Sequence, residues 1–200
     1  MRARLPFIAL FLTPLVMACA SAPPGPARFA MEPCPAPPAD NAQVVQGFYD
    51  AFARRDFQGM ACAYDKDVEF TDSMFGTLHG KRAFAMWAML TSGAKDLVVK
   101  ASNIGADGDS AHAHWDADYT FSFLVFDNPV HNQIDATFTF KGGKIVKHRD
   151  SFDLPKWMKM ALTPMDGVVS EASMKERVQA RLDEFIANHP EFQDNPAPTP

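Results

Sequence analysis

Four consecutive strand-forming segments occupy the second half of the chain, and they constrain its fold more than any other feature. They are Leu97–Ile104, Ser110–Phe126, Val130–Lys141 and Lys144–Phe152. The second and third alternate between polar and apolar side chains, as is typical of β-strands whose two faces meet different surroundings. Turn-forming residues separate the segments: Asp107-Gly108-Asp109, Asp127-Asn128-Pro129 and Gly142-Gly143. The sequence therefore predicts an antiparallel meander.

The residues before these strands follow helical spacing instead. Apolar residues spaced three or four apart predict a first helix from Asn41, and Asp56 is a natural N-cap for a short second helix that ends at Ala63. The other predicted elements are a strand at Val68–Phe70, a loop at Ser73–Gly80, a helix at Lys81–Thr91 and a helix from Ser173 to Asn188. The last of these begins at a capping box, Ser173 to Glu176, and Pro190 ends it. Helices followed by a meander predict an α+β fold rather than alternating βαβ units.

The N-terminus carries a targeting pattern. Two arginines precede a short apolar run, which predicts a cleaved signal peptide over residues 1–18. The end of that run, Leu15-Val16-Met17-Ala18-Cys19, resembles a bacterial lipobox, which implies that Cys19 is lipidated and anchors the protein to a membrane. Ordinary cleavage near Ala18 or Ala20 is the alternative. The expected location is the periplasmic side of the cell envelope, with the outer membrane preferred over the inner one.

A proline-rich tether, residues 19–40, is expected to separate the anchor from the folded domain. Residues 190–200 are expected to form a flexible tail. Once Cys19 is acylated, Cys34 and Cys62 remain in an oxidising compartment, where they form a disulfide or stay as two free thiols. Their spacing matches no zinc, haem or catalytic cysteine motif.

Charge and composition narrow the possible partners. The chain has 19 Lys and Arg against 24 Asp and Glu, a formal net charge of −5, and its basic residues do not cluster. Because nucleic-acid binding requires a concentrated basic face, no nucleic-acid partner is expected. Hydrophobic residues make up 47% of the chain, so the roughly 150 residues between the tether and the tail can form one hydrophobic core.

Four stretches of sequence resemble the nuclear transport factor 2-like superfamily, which includes ketosteroid isomerases, limonene-epoxide hydrolases and SnoaL-like polyketide cyclases. They are Phe48–Asp56 (FYDAFARRD), Tyr64–Asp72 (YDKDVEFTD), Leu78–Arg82 (LHGKR) and Gly143–Asp153 (GKIVKHRDSFD). The resemblance implies a cone-shaped fold over residues 41–165, in which a curved antiparallel sheet wraps around the N-terminal helices. An extra C-terminal helix is then expected over residues 166–189.

The long strands place chemically active side chains on one face. His112, His114, Asp116 and Asp118 share a face with Thr120 and Ser122, and the opposite face carries Trp115, Tyr119, Phe121 and Phe123. On one interpretation the aromatic residues face inward and the polar residues face solvent. On the other, which the resemblance favours, the polar residues line the cavity. A second subunit would then cover the aromatic face, giving a homodimer.

The resemblance also implies a catalytic set. Limonene-epoxide hydrolases carry an Arg-x-Asp pair and a second Asp in the cavity, and the matching positions here are His114, Asp116 and Asp150. His114 thus stands where the family has arginine. Asp116 and Asp150 would share a proton and act as acid and base. The expected ligand-binding residues are Asp72, His148, Asp135, Trp87 and Tyr64.

Two functions therefore remain open from the sequence. One is a SnoaL-like hydrolase or isomerase that acts on a small molecule through paired aspartates. The other is a non-catalytic lipoprotein of the envelope that binds a small hydrophobic or mixed ligand, or a protein partner. No cofactor and no metal are expected, although a metal bound by His112, His114 and Asp116 is a less favoured alternative.

Overall fold

The computed structural model describes Phe29 and residues 33–93 and 96–194. The predicted signal peptide, Cys19 and most of the predicted tether lie outside the described residues. Five helices and six strands follow in the order α1 (Asn41–Ala53), α2 (Phe57–Ala63), β1 (Tyr64–Asp72), β2 (Gly76–His79), α3 (Lys81–Gly93), β3 (Val98–Asp107), β4 (Ser110–Phe123), β5 (Phe126–Lys141), β6 (Lys144–Ser151), α4 (Leu154–Ala161) and α5 (Glu171–Ala187), and a 3₁₀ turn spans Pro190–Phe192.

The strands form one curved sheet in the order β2-β1-β6-β5-β4-β3. Every junction is antiparallel except β1–β6, which is parallel and pairs Phe70 with His148. The predicted α+β class is confirmed. Gly142 and Gly143 form the β5–β6 turn, and both have the positive φ that a tight hairpin turn with this twist requires.

Helix termini follow the capping rules closely. Asp40 accepts the Ala42 N–H at the start of α1, and Asp56 accepts the Gly59 N–H at the start of α2, as predicted. The predicted capping box at Ser173 is wrong, because Ser170 is the N-cap of α5 and accepts the Ser173 N–H.

Two strand predictions also require correction. The predicted loop at Ser73–Gly80 contains β2, which pairs with β1 as a hairpin. The predicted turn at Asp127-Asn128-Pro129 lies inside β5, and the chain instead turns at Leu124, where φ is positive. Pro129 lies opposite Thr120 of β4, and alternation from the Phe123–Phe126 pair at the turn makes this a non-hydrogen-bonded pair. The missing N–H of Pro129 therefore faces away from β4, on the side where β6 pairs only with residues 135–141 of β5.

The concave side of the sheet holds the core. Helix α1 packs on β3 and β4, α3 packs on β1 and β2, and α4 packs on β5. Val45, Phe48, Phe70 and Ile145 are fully or almost fully buried between these layers. Helix α4, which sequence reasoning missed, starts at the N-cap Asp153 with a proline in its first turn.

Both ends of the described chain are fastened to the domain. Cys34 and Cys62 form a disulfide, with 5.4 Å between their Cα atoms. The Phe29 ring contacts Phe57, Phe185 and Phe192 at 5.4–5.7 Å between ring centroids. The predicted flexible tail from residue 190 is wrong for Pro190–Phe192, which form a 3₁₀ turn with Phe192 buried. Within the described residues, no helix is both long and apolar enough to cross a membrane.

The disulfide closes a loop between residues 28 positions apart, and so it removes entropy from the unfolded chain. We expect the double substitution Cys34→Ser/Cys62→Ser to lower the free energy of unfolding by about 2–4 kcal/mol. Denaturant unfolding in oxidising buffer measures this loss. Adding dithiothreitol should destabilise the native protein but not the double variant. An unfolding midpoint of the native protein that dithiothreitol leaves unchanged would contradict the prediction.

Candidate active site

A chain of hydrogen bonds joins five side chains of the core. Trp87 Nε1 donates to the Tyr64 hydroxyl at 2.9 Å, and that hydroxyl lies 2.6 Å from Nδ1 of His148. Nε2 of His148 lies 3.0 Å from Oδ1 of Asp150. Trp115 Nε1 donates to the same Oδ1 at 3.3 Å. We call these five residues the Asp150 network.

The position of each proton in the Asp150 network follows from donor and acceptor chemistry. An ionised Asp150 carboxylate only accepts, so Nε2 of His148 carries a proton and donates it. The Tyr64 oxygen already accepts from the Trp87 indole, which is a donor only. The Tyr64 hydroxyl therefore donates to Nδ1 of His148, and the imidazole is neutral. With this assignment, every hydrogen bond of the chain joins one donor to one acceptor.

Four elements bring the Asp150 network together. His148 and Asp150 are two residues apart on β6 and therefore face the same side of the sheet. Tyr64 begins β1, Trp87 lies on α3 and Trp115 lies on β4. His148 is 1% exposed and Asp150 is 5% exposed. Burying such groups costs free energy unless they are hydrogen-bonded, so this core requires the hydrogen bonds of the Asp150 network.

Aromatic rings enclose the His148 imidazole on several sides. The ring centroid of Phe138 lies 4.3 Å away and that of Phe70 lies 5.2 Å away. The Trp87 ring is stacked at 6.0 Å with an interplanar angle of 12°. The surroundings exclude water from the histidine and fix its orientation toward Asp150. Burial also raises the pKa of the Tyr64 hydroxyl, as does the negative charge of Asp150.

A cavity of about 290 Å³ opens beside the Asp150 network. Its wall is mostly aromatic and aliphatic, with Phe52, Phe70, Phe75, Met86, Trp87, Trp115, Phe121, Ile134, Phe152 and Trp157 among its lining residues. Asp150 reaches this wall. Both network donors bind its Oδ1, so Oδ2 accepts no hydrogen bond from the described residues and is left for a ligand.

Asp72 is a second carboxyl group on the cavity wall. It lies at the end of β1 and accepts the backbone N–H groups of Met74 and Phe75. Burial raises the pKa of Asp72 to about 7, and the charge of Asp150 adds to that rise, whereas the backbone N–H groups oppose it. Near neutral pH the cavity thus holds one carboxyl group that keeps its proton for part of the time.

Tyr49 on α1 lies near the Asp150 carboxylate but makes no hydrogen bond to it. Among the described residues, its hydroxyl is the buried side-chain polar atom that has no hydrogen-bond partner. Burial raises the pKa of Tyr49, and so does the charge of Asp150. In the sequence, Tyr49 is one of the apolar and aromatic residues whose spacing predicts α1. No local pattern distinguishes it, since its position depends on how α1 packs on the sheet.

The structure separates the predicted catalytic set into two groups. Asp150, His148, Tyr64 and Trp87 come together in the core, and Asp72 joins them on the cavity wall. His114, Asp116 and Asp135 alternate with the buried residues of β4 and β5 and so lie on the opposite, outer face of the sheet, away from the cavity wall. The prediction that Asp116 and Asp150 share one cavity is therefore wrong, as is the placement of His114 beside them.

Packing of α1 explains this result. On β4 the face opposite to Asp116 carries the small residues Ala111, Ala113 and Ala117, which leave room for the helix and for the Trp115 ring. These residues are buried, whereas Asp118 is exposed. The expected homodimer rested on an aromatic outer face, and that premise is wrong. The dimer itself stays a prediction.

On the outer face the polar residues bind one another. Nδ1 of His114 lies 2.8 Å from Oδ1 of Asp135, and Nδ1 of His131 lies 2.7 Å from Oδ1 of Asp118. The Nε2 atoms of these two histidines lie 3.9 Å and 3.7 Å from Oδ1 of Asp116. Within the described ranges, no group of three or more His, Cys, Asp or Glu side chains is arranged to hold a metal ion.

Comparisons with known proteins agree with this architecture. Residues 45–148 match the family model of the SnoaL-like domain. Among solved structures, an LEH-like epoxide hydrolase of M. tuberculosis has a TM-score of 0.52 and 22% identity, over 64% of this chain and 93% of its own.

Two further structures have the same fold. A protein from Jannaschia sp. CCS1, described as a candidate SnoaL-like polyketide cyclase, has a TM-score of 0.55 and 18% identity, over 67% of this chain and 99% of its own. TerC, crystallised with polyporic acid, has a TM-score of 0.52 and 17% identity, over 60% of this chain and 97% of its own. No curated protein matches the chain.

The raised pKa of Asp72 predicts a pH-dependent stability. The unfolded chain releases this proton near pH 4, whereas the folded protein holds it until about pH 7. Between about pH 4 and pH 7 the folded state binds more protons than the unfolded state. The contribution of Asp72 to the free energy of unfolding therefore falls as pH rises from about 4 to 7, and it stays constant above pH 7.

We therefore expect Asp72→Asn to gain stability relative to the native protein over that window. Urea unfolding of both proteins at several pH values measures the difference. Asp118→Asn, an exposed aspartate on the outer face, is the control and should follow the native curve. A constant difference between Asp72→Asn and the native protein from pH 4.5 to 8 would refute the raised pKa.

Proposed function

This chain belongs to the family of SnoaL-like domains, and from that premise we propose that it binds a small organic molecule in the core cavity and moves a proton on it. Asp150 is the proposed base. The observation that carries the proposal is the Asp150 network, in which His148 and Trp115 both donate to one carboxylate oxygen at the cavity wall. Such bonds hold a carboxylate in one orientation and leave its second oxygen for a substrate.

The cavity has the groups that proton transfer next to a carbonyl requires. Asp150 takes a proton from the carbon beside the carbonyl, and the electron pair of the C–H bond moves into an enolate. Asp72, when protonated, donates a hydrogen bond or its proton to the carbonyl oxygen. Return of a proton to another carbon completes an isomerisation, and attack of the enolate carbon on a second carbonyl closes a ring. The LEH-like epoxide hydrolase has this fold, and so does TerC, which was crystallised with the small molecule polyporic acid; both support a small-molecule ligand for the cavity.

One observation favours a second function, non-catalytic ligand binding. The cavity wall is mostly aromatic, as expected for a protein that carries an apolar molecule. A carrier has no use for a carboxylate whose orientation is fixed by two buried donors, however. The two functions differ in one measurable property, which is whether the bound molecule exchanges protons with solvent.

Proton exchange on 2-tetralone, a neutral bicyclic aromatic ketone, tests the proposal. In deuterated buffer, we expect the native protein to accelerate deuterium incorporation next to the carbonyl, as followed by NMR. Asp150→Asn should lower this rate by about 10²–10⁴-fold, the usual contribution of a positioned base. The catalysed rate should also fall above pH 7, where Asp72 loses its proton.

Asp118→Asn is the matched control, because it makes the same chemical change on the outer face of the sheet. It should leave the exchange rate unchanged. Saturable binding of 2-tetralone by the native protein without accelerated exchange would overturn catalysis and favour the carrier function. Equal rates for the native protein and Asp150→Asn would remove Asp150 from the mechanism.

We further propose that the domain is a lipoprotein of the cell envelope, anchored through Cys19. The lipobox-like sequence supports this, and so does the Cys34–Cys62 disulfide, because disulfides persist in oxidising compartments. In a bacterial host, the full chain should sediment with membranes, and Cys19→Ser should shift it to the soluble fraction. Mass spectrometry should find an acylated N-terminal peptide only in the native chain. If the native chain is found in the soluble fraction with an unmodified N-terminal peptide, the lipid anchor is contradicted.

A further inference from the structure

Helix α5 forms part of the cavity wall, through Val178 and Arg181. This helix lies beyond residues 45–148, the part that matches the SnoaL-like family model. Arg82 of α3 holds it in place, through an ion pair to Asp183 at 2.6 Å and a hydrogen bond to Gln179 at 2.9 Å. The position of Arg181 at the cavity is therefore fixed by specific contacts of its own helix.

The charged groups on the cavity wall differ in whether other groups of the protein bind them through hydrogen bonds or ion pairs. They are Asp72, Asp96, Asp150 and Arg181. Each carboxylate accepts hydrogen bonds from the protein, and Asp96 takes both the N–H and the hydroxyl of Thr120. Arg181, by contrast, has no ion pair or hydrogen bond with any of the described residues. Among the charged groups that the described residues place on this wall, the Arg181 guanidinium is the one whose donors are left for a ligand.

We propose that Arg181 binds an anionic group on the ligand of this cavity. The ligand class is an apolar, largely aromatic molecule that carries a carboxylate or a similar planar oxyanion. A guanidinium presents parallel N–H donors that match two oxygens of such a group. Because the inference concerns the ligand of the same cavity, it rests on the proposed function, but it does not depend on Asp150 acting as a base.

Two features near Arg181 limit the strength of this interaction. Arg181 is exposed, so water screens its charge, and Asp96 places a negative charge on the same wall. Arg181 also lies close to Gly93, the last residue of α3. A Cβ atom placed on Gly93 would be 3.7 Å from a terminal guanidinium nitrogen of Arg181. A different role for Arg181 is to offset the negative end of the α3 dipole, and the experiment distinguishes this role from ligand binding.

A pair of probes of the same shape isolates the charge. 2-Naphthoate carries a carboxylate where 2-naphthamide carries a neutral amide, and both have the same aromatic body. Binding of each to the native protein is measured by NMR titration at pH 6, where Asp72 is mostly protonated and does not repel the anion. We expect 2-naphthoate to bind more tightly than 2-naphthamide.

Substitution of Arg181 should remove that preference. We expect Arg181→Gln to weaken 2-naphthoate binding by about tenfold and 2-naphthamide binding by less than about twofold. Arg181→Lys, which keeps the charge without the planar fork, should give an intermediate loss. Arg177→Gln is the control, since the Arg177 guanidinium lies 5.7 Å from the Phe123 ring centre and does not reach the cavity wall. It should leave both affinities unchanged.

The outcomes separate this inference from the proposed function. If both probes bind equally well and Arg181→Gln changes neither, the anion site is refuted while the cavity remains a binding site. If Arg181→Gln weakens both probes to the same extent, Arg181 acts through the position of α5 or the α3 dipole, and the inference fails. If neither probe binds in the cavity at millimolar concentration, both the inference and the proposed small-molecule site fail.

Discussion

The paired burial of His148 and Asp150 is the constraint on which the rest of the core depends. Neither group can be enclosed by aromatic rings without hydrogen bonds, because an unsatisfied buried polar group costs on the order of 1–3 kcal/mol and an unpaired charge costs more. The chain satisfies them with Tyr64, Trp87 and Trp115, which come from three other elements. One group of hydrogen bonds therefore links three features of the fold: the parallel β1–β6 junction, the position of α3 and the inward face of β4.

The same constraint connects structure to chemistry. The donors that make burial of Asp150 tolerable also fix one of its oxygens and leave the other at a mostly apolar wall, which is the arrangement a base needs. Asp72 sits on the same wall, and the pKa that burial raises to about 7 makes it a proton donor at neutral pH. The match to the family model ends at residue 148, so Asp150 and the helix α5 that carries Arg181 both lie beyond the matched region and complete the cavity from there.

Much of this architecture could be predicted from the sequence, and the failures have physical causes. Spacing predicted α1, and the short polar side chain of Asp56 predicted the start of α2, because both signals are local. Alternation on β4 showed which side chains share a face, but it could not show which face is inward. That choice depends on α1 packing against Ala113 and Ala117, a contact between distant parts of the chain. The resemblance favoured the wrong face and paired Asp150 with Asp116, while β6, where His148 and Asp150 share a face, was predicted correctly.

The tautomer of His148 shows whether the Asp150 network exists in solution. A long-range ¹H–¹⁵N correlation spectrum of the native protein at neutral pH reports which ring nitrogen carries the proton. The Asp150 network requires the proton on Nε2, donated to Asp150, and an unprotonated Nδ1 that accepts from Tyr64. We expect that pattern, and we expect Asp150→Asn to perturb the Nε2 signal. A proton on Nδ1, or an imidazole whose signals Asp150→Asn leaves unchanged, would show that the Asp150 network does not exist in solution.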